Sequence, residues 1–417
     1  MSPMPKDTSP DSTLALLMEG YHFIATRCEN HNSDIFATRL MMEDFICMRG
    51  EAAARLFYDR ERFARAGVTP DLVQDTLFGR GGVQGLDDEA HRHRKQIFMS
   101  LMTPENIQRL VGLVDEAWGN ALVRWEDEEQ MALLDTLHEV LCRAACRWAE
   151  VPLGEDEVNK RTDDMAAMID SSGSVGLRHW RGKHARDEAE RWIGGIVAAV
   201  RAGELQPSEG SACRLVAQYR DRYDQLLDEQ VAAVEILNIL RPIVAISRFL
   251  TFAALALHDH PECRARLMED NEPDYPELFV QEVRRFYPFF PFLAARVRET
   301  FQWQGFEFPL GRKVLLDIYG TNRHPGLWPE PEAFRPERFR EWNGSAFNFI
   351  PQGGGDHYHN HRCPGEWITI EVMKLGVRWL TRGMRYQIPE QDLQVRMSRL
   401  PALPKSRFLI SGVQRLS

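Results

Sequence analysis

The stretch that decides the fold is Ile350-Pro-Gln-Gly-Gly-Gly-Asp-His-Tyr-His-Asn-His-Arg-Cys363-Pro-Gly-Glu-Trp-Ile-Thr-Ile-Glu-Val-Met-Lys374. It closes a long loop and opens a helix. Pro364 suits a first helical position, and Trp367, Ile370, Val372 and Met373 supply buried contacts. Cys363 thus stands at or just before a helix N-terminus, where free backbone N–H groups and the positive dipole end favour a thiolate. Gly353–Gly355 and Gly365 let the backbone approach something flat, since they carry no side chain. Arg362 adds positive charge nearby, as His361 does when protonated. Three chemistries use such a thiolate: nucleophilic catalysis with a histidine base, zinc binding, and ligation of haem iron. Zinc wants a second ligand at tight spacing, and only the run His357, His359, His361 offers one, because the next cysteine upstream is Cys263. The local residues do not separate nucleophile from haem ligand.

Working outward, residues Tyr319 to Arg362 hold five prolines and six glycines with little periodicity. A structureless run of that length in a compact domain is usually functional. Its large side chains, Trp328, Phe334, Phe339, Trp342, Phe347 and Phe349, predict a packed loop. Most of residues 11–300 reads as helix. Asp115–Glu126, Glu129–Glu150, Asp187–Ala202 and Glu229–His258 carry apolar residues at three- and four-residue spacing. Strands are predicted at Ile35–Leu40, at Phe45–Arg49 and within Arg296–Ile318, where Phe301-Gln-Trp-Gln-Gly-Phe-Glu-Phe308 alternates around a glycine turn. No repeat or low-complexity linker divides the chain. Residues 1–417 therefore read as one mainly α domain, with residues 1–10 as a flexible tail.

Composition narrows the function. Lys plus Arg is 51 and Asp plus Glu is 61, a net charge of −10 in 417 residues, which argues against a nucleic-acid partner. The longest apolar run, Phe249–Leu257, is short of the roughly 20 residues a membrane span needs. The polar, proline-broken start lacks the apolar core of a secretion signal. Seven scattered cysteines suggest reduced thiols and a cytoplasmic protein.

Three further features join the cysteine. Glu282-Val-Arg-Arg285 puts Glu282 and Arg285 on one face of a helix over Glu277–Phe286, and Phe334-Arg-Pro336-Glu-Arg338-Phe339 follows before the cysteine loop. In order and spacing this resembles the cytochrome P-450 superfamily: a mainly α fold with small β-sheets and a long cysteine-ligand loop. The resemblance implies haem b with Cys363 as its axial iron ligand, and a structural Glu282–Arg285–Arg338 network. Two departures are specific. Where ordinary members carry Phe and Gly before the cysteine, this chain has Asp356 and His359. Their central helix usually carries an acid followed by Thr, whereas here it reads Ile236-Leu-Asn-Ile-Leu-Arg241-Pro242-Ile-Val. Both departures resemble the bacterial fatty-acid peroxygenases, which use hydrogen peroxide and need no redox partner protein. That resemblance implies fatty-acid hydroxylation at the α or β carbon. The alternatives are a reductase-dependent monooxygenase of the same fold, a haem- or lipid-binding sensor without turnover, and an isomerase or dehydratase acting on lipid hydroperoxides.

Arg241 carries the physical argument. It lies in an apolar helical run, and a guanidinium left there without a partner costs several kcal/mol. Its neighbours at three and four residues, Leu237, Asn238, Val244 and Ala245, are uncharged. Pro242 frees the carbonyl of Asn238 and predicts a kink or bulge. A fatty-acid carboxylate supplies the missing anion and can itself move the peroxide proton. By resemblance, Gln84 lies over the distal haem face and leans toward hydroxylation, Phe78 and Phe289 line the substrate channel, and His91, Lys95, Arg65, Tyr287 and His361 hold the haem. Cys142 and Cys146 read as core residues.

Overall fold

The computed structural model describes residues 4–269 and 271–416. Its axis is the helix Glu229–Asp259, capped by the Asp228 carboxylate, which accepts from the backbone N–H of Gln230 and Val231. From Ala232 to Leu257 nearly every residue is buried, as a helix apolar on all sides must be. It has the length and composition of a membrane span, yet 94% of that window is buried inside the fold. The helices Leu133–Ala149, Leu177–Ala202 and Glu366–Arg378 pack around it. The last of these approaches closely because position 376 is glycine: a Cβ there would lie 2.2 Å from the Leu250 side chain. Pro242 is carried inside the helix, which continues through it to Asp259.

The predicted strands pair into a five-stranded sheet. Ile35–Leu40 runs antiparallel to Glu43–Met48, which pairs in parallel with Lys313–Asp317. Phe292–Val297 follows antiparallel, and the short Phe63–Ala64 closes the edge. Phe301–Trp303 and Phe306–Phe308 form the expected hairpin, with Gln304 and Gly305 both at positive φ in the turn. Several boundaries differ from the sequence reading: the helix expected over Asp115–Glu126 is Pro104–Trp125, and the strand expected at Phe45–Arg49 is Glu43–Met48. The segment expected to be helical from Glu129 begins with a strand, Gln130–Ala132, because Leu409–Arg415 pairs with it. The helix expected from Asp187 begins at Leu177. Of the first ten residues, expected to be a flexible tail, 1–3 lie outside the described residues. Pro5 and Asp7 bond the backbone of Ala37, and the Asp7 carboxylate accepts from Arg27 Nε at 2.8 Å.

The loop after Tyr319 is packed, as its aromatics predicted: Trp328, Phe339, Trp342 and Phe349 meet edge-on or tilted. Its frame is ionic. Arg285 donates to Glu282 through Nε at 2.7 Å and Nη2 at 2.8 Å. Arg338 Nε reaches the same carboxylate at 3.2 Å, and the Arg335 N–H at 2.7 Å. Arg285 also donates to the carbonyls of Asn322, Pro331 and Ala333, so one guanidinium ties the helix Tyr275–Phe286 to the loop. Removing the acid strands two buried cations. Glu282→Gln is expected to destabilise the fold by about 3–5 kcal/mol, measured by urea unfolding of the holoprotein.

Candidate functional site

Cys363 lies in the loop that the ionic frame fixes. Its N–H donates to the Gln352 carbonyl at 3.0 Å, and its Sγ faces the Gln352 side-chain amide, Nε2, at 3.7 Å. Gln352 is itself held: Nε2 donates to Thr369 Oγ1 at 3.0 Å, and Oε1 accepts from Arg284 Nη2 at 2.9 Å. Arg284 pairs with Glu366, which Arg362 Nε also reaches at 2.7 Å. These two guanidinium groups hold the Glu366 carboxyl down at about 2. The helix begins at Glu366 rather than Pro364, so Cys363 stands two residues before its cap, Gly365. Burial and the Glu366 charge push its thiol up, against the Gly365 N–H, Lys95 and Arg284. The helix end alone therefore does not make the thiolate, which a bound metal ion would.

Whether the residues fit a haem is tested on the side facing the helix Asp88–Ser100. Lys95 is buried, and its ammonium donates to the carbonyls of Asn360 and Arg362. The His91 ring stacks on His361 with centroids 3.8 Å apart. Arg65 is buried over the rings of Phe57 and Tyr58, donating to the Ala294 carbonyl at 2.8 Å. Burial holds Lys95 down at about 8, Arg65 at about 10 and His91 at about 3, the last also repelled by Lys95, Arg60 and Arg65. The nearby carboxylate of Asp87 is occupied by the N–H groups of Arg65 and Ala66. A group with two carboxylates beside Cys363 is what this donor set lacks, and haem b fits it. Gly365 leaves open space at its Cα. Gly353, Gly354 and Gly355 do not, because a Cβ there would meet Tyr58, the Ala346 carbonyl and Asn360. Their room is used for packing within the protein, a correction to the sequence reading.

On the other side, Arg241 is only 5% exposed. Nη2 donates to Asn238 Oδ1 at 3.1 Å, and Nε has no partner. Burial pushes the guanidinium down to about 9 and Arg186 repels it, while Cys363 acts in the opposite direction. Gln84 joins this face, its Oε1 accepting from Asn238 Nδ2 at 3.2 Å. Phe78 is set by Arg186, whose Nη1 and Nη2 donate to the carbonyls of Leu77 and Phe78 at 2.7 and 3.3 Å. Gly79 permits that clamp, since a Cβ there would lie 2.0 Å from Arg186 Nη2.

Two predicted residues make their contacts apart from these groups. Phe289 stacks on Phe249 at 4.2 Å, further along the central helix from Arg241, and its carbonyl accepts from the Tyr21 hydroxyl. Tyr287 packs against Phe252, Phe286 and Phe334, with Arg323 and Asp259 as its charged neighbours. It does not join Arg65, His91 and Lys95, because its own helix turn faces the ionic frame. The zinc alternative finds no support: among the described residues no three of His, Cys, Asp and Glu converge on a metal position. Gln352, Arg284, Asn238 and Arg186 were not singled out from sequence. Arg284 stood beside Arg285 in the quoted motif, but the next helical position points to a different partner.

The cytochrome P-450 family pattern matches residues 250–410. The structure of Cytochrome P450SP alpha (CYP152B1) in complex with (R)-ibuprophen is 48% identical, with a TM-score of 0.96 over 97% of this chain and 99% of that one. Cytochrome P450EX alpha (CYP152N1) with myristic acid is 45% identical, with a TM-score of 0.95 and 100% of both chains covered. A variant of cytochrome P-450 OleT in complex with arachidonic acid is 34% identical, with a TM-score of 0.97 over 100% of this chain and 99% of that one. Among curated relatives, cytochrome P-450 716A2 of Arabidopsis thaliana is 23% identical across 84% of this chain and 78% of its own length.

The basic cluster makes a test. Arg65→Met and Lys95→Met are each expected to weaken haem retention by about tenfold in transfer to apomyoglobin. In the haem-free chain each should cost no more than about 1–3 kcal/mol, since the carbonyls left unpaired are set against the relief of a buried cation.

Proposed function

The chain belongs to the cytochrome P-450 superfamily and, within it, to the fatty-acid peroxygenases, and we propose that it hydroxylates long- or medium-chain fatty acids at the α or β carbon. The overall change is fatty acid plus hydrogen peroxide giving hydroxy fatty acid plus water. One observation carries the reading: Arg241 is a buried cation within electrostatic reach of Cys363, and among the described residues no carboxylate pairs with it.

Cys363 would hold the haem iron, and Lys95, His91, His361 and Arg65 would hold its propionates. When bound, the haem supplies peroxide activation and oxygen insertion at a C–H bond. Arg241 takes the fatty-acid carboxylate through N–H donors not used by Asn238. The apolar wall of the central helix, with Phe78 held by Arg186, receives the alkyl chain. Anchoring the carboxylate would hold the α and β carbons, and not the distant methyl end, closest to the carboxylate-binding guanidinium and the haem site. The same carboxylate could move the peroxide proton, the task that an acid and a threonine perform in ordinary members. Gln84, tied to Asn238, completes the polar edge of that space. The whole chain acts as one haem-thiolate domain, cytoplasmic and without an obligatory redox partner.

The test is product analysis of purified holoprotein with myristic acid and hydrogen peroxide and no reductase, where 2- or 3-hydroxymyristic acid is expected. Arg241→Ala should lose at least about 100-fold in kcat/KM, as expected when one partner of a buried charge pair is removed, while haem content stays intact. Retained turnover in that variant overturns carboxylate anchoring. Cys363→Ser should abolish the thiolate-type band of the reduced carbon-monoxide complex, and survival of that band overturns the ligand assignment.

A further inference from the structure

Three polar residues follow one another along one face of the otherwise apolar central helix: Glu235, Asn238 and Arg241. Glu235 is completely buried, and its Oε1 accepts from Arg94 Nη1 at 2.7 Å. Its Oε2 accepts from Asn238 Nδ2 at 3.3 Å. The same Nδ2 donates to Gln84 Oε1 at 3.2 Å, so both N–H groups of the amide meet acceptors. The amide oxygen is thereby turned toward Arg241 Nη2, which it accepts at 3.1 Å.

Only one orientation of that amide satisfies its neighbours. An ionised carboxylate accepts hydrogen bonds and donates none, whereas a guanidinium donates and accepts none. A flipped Asn238 would set oxygen against the Glu235 carboxylate and NH2 against the guanidinium, two contacts with no hydrogen between acceptors or no acceptor between donors. The Arg94 pairing keeps the buried carboxylate in place. Asn238 is also neutral, so it steers the guanidinium without cancelling its charge.

We propose that Glu235 and Asn238 are positioning residues: Glu235 fixes the Asn238 amide, which holds Arg241 in the pose that receives the substrate carboxylate and leaves its charge free for it. This deepens the fatty-acid reading and rests on it. A residue at 238 that only filled space would be replaceable by any side chain of similar volume, and an acid there would be harmless. A positioning amide makes opposite demands, since an acid at 238 gives Arg241 an internal partner.

The experiment measures fatty-acid affinity of the holoprotein from the haem absorption shift on adding myristic acid, with imidazole as a ligand that carries no carboxylate. Asn238→Leu, Asn238→Asp and Glu235→Gln are each expected to raise the myristic acid Kd at least tenfold, with imidazole affinity held within twofold. Asn238→Leu should also change the ratio of 2- to 3-hydroxy product, because the guanidinium is no longer tethered. Should Glu235→Gln fail to fold, the two Asn238 variants decide the matter. Arg241→Ala is the reference. If it loses myristic acid binding while both Asn238 variants bind within twofold of the unaltered protein, the positioning role is overturned and the fatty-acid reading stands. If Arg241→Ala itself binds normally, the reading on which the proposal rests has failed.

Discussion

A cation taken out of water needs an anion beside it, and this protein meets that requirement at most of its buried arginines. Arg285 has Glu282, Arg284 has Glu366, Arg94 has Glu235, Arg186 has Glu190 and Arg248 has Asp170. Two places break the rule. One is Arg241, bonded among the described residues to a neutral amide alone; the other is the group of Arg65, His91 and Lys95, whose charged forms are all disfavoured by burial. In a chain with a surplus of acids, such gaps are not forced by composition. We propose them as the positions at which ligands bring carboxylates of their own, two for the cofactor and one for the substrate.

The rest of the architecture keeps those gaps open and aligned. A helix buried on every side cannot rotate to bring Arg241 to solvent without exposing Ile239, Leu240, Ile243 and Val244. The cysteine loop would swing without the Glu282 network, which joins the helix Tyr275–Phe286 to four points of the loop. With both fixed, the distance between Arg241 and the cysteine face becomes a property of the fold. On the proposed reading, regiochemistry would then follow from geometry, and the alkyl chain would contribute affinity more than orientation.

What could be read from the sequence was whatever is written locally. The cysteine loop, the Glu282-Val-Arg-Arg285 helix and the Phe301–Phe308 hairpin are short-range patterns, and the structure reproduces them. Arg241 was legible because a guanidinium with uncharged neighbours at helical spacing is conspicuous in an apolar run. The contacts that reach across the chain were not legible. Arg186 clamps the end of the helical turn Gln74–Phe78, more than a hundred residues away, and Gln352 finds Arg284 sixty-eight positions upstream. The strand at Gln130–Ala132 exists only because the C-terminal strand lies beside it. Tyr287 was assigned by resemblance, and its place is decided by Phe252 and Phe334, which sequence does not bring together.

The two faces of the site are built on one plan. At Cys363, the buried pair Arg284–Glu366 orients the amide of Gln352, which turns its N–H toward the sulfur. At Arg241, the buried pair Arg94–Glu235 orients the amide of Asn238, which turns its oxygen toward the guanidinium. Each amide presents the end of its dipole that the functional group attracts, and each is held there by charges that are themselves balanced. Neutrality is what makes an amide the right intermediary. A carboxylate in place of Gln352 would repel a thiolate, and one in place of Asn238 would neutralise the cation before any substrate arrived. Ion pairs thus supply rigidity one residue removed from the chemistry, and the groups in contact with it keep their full charge for ligands.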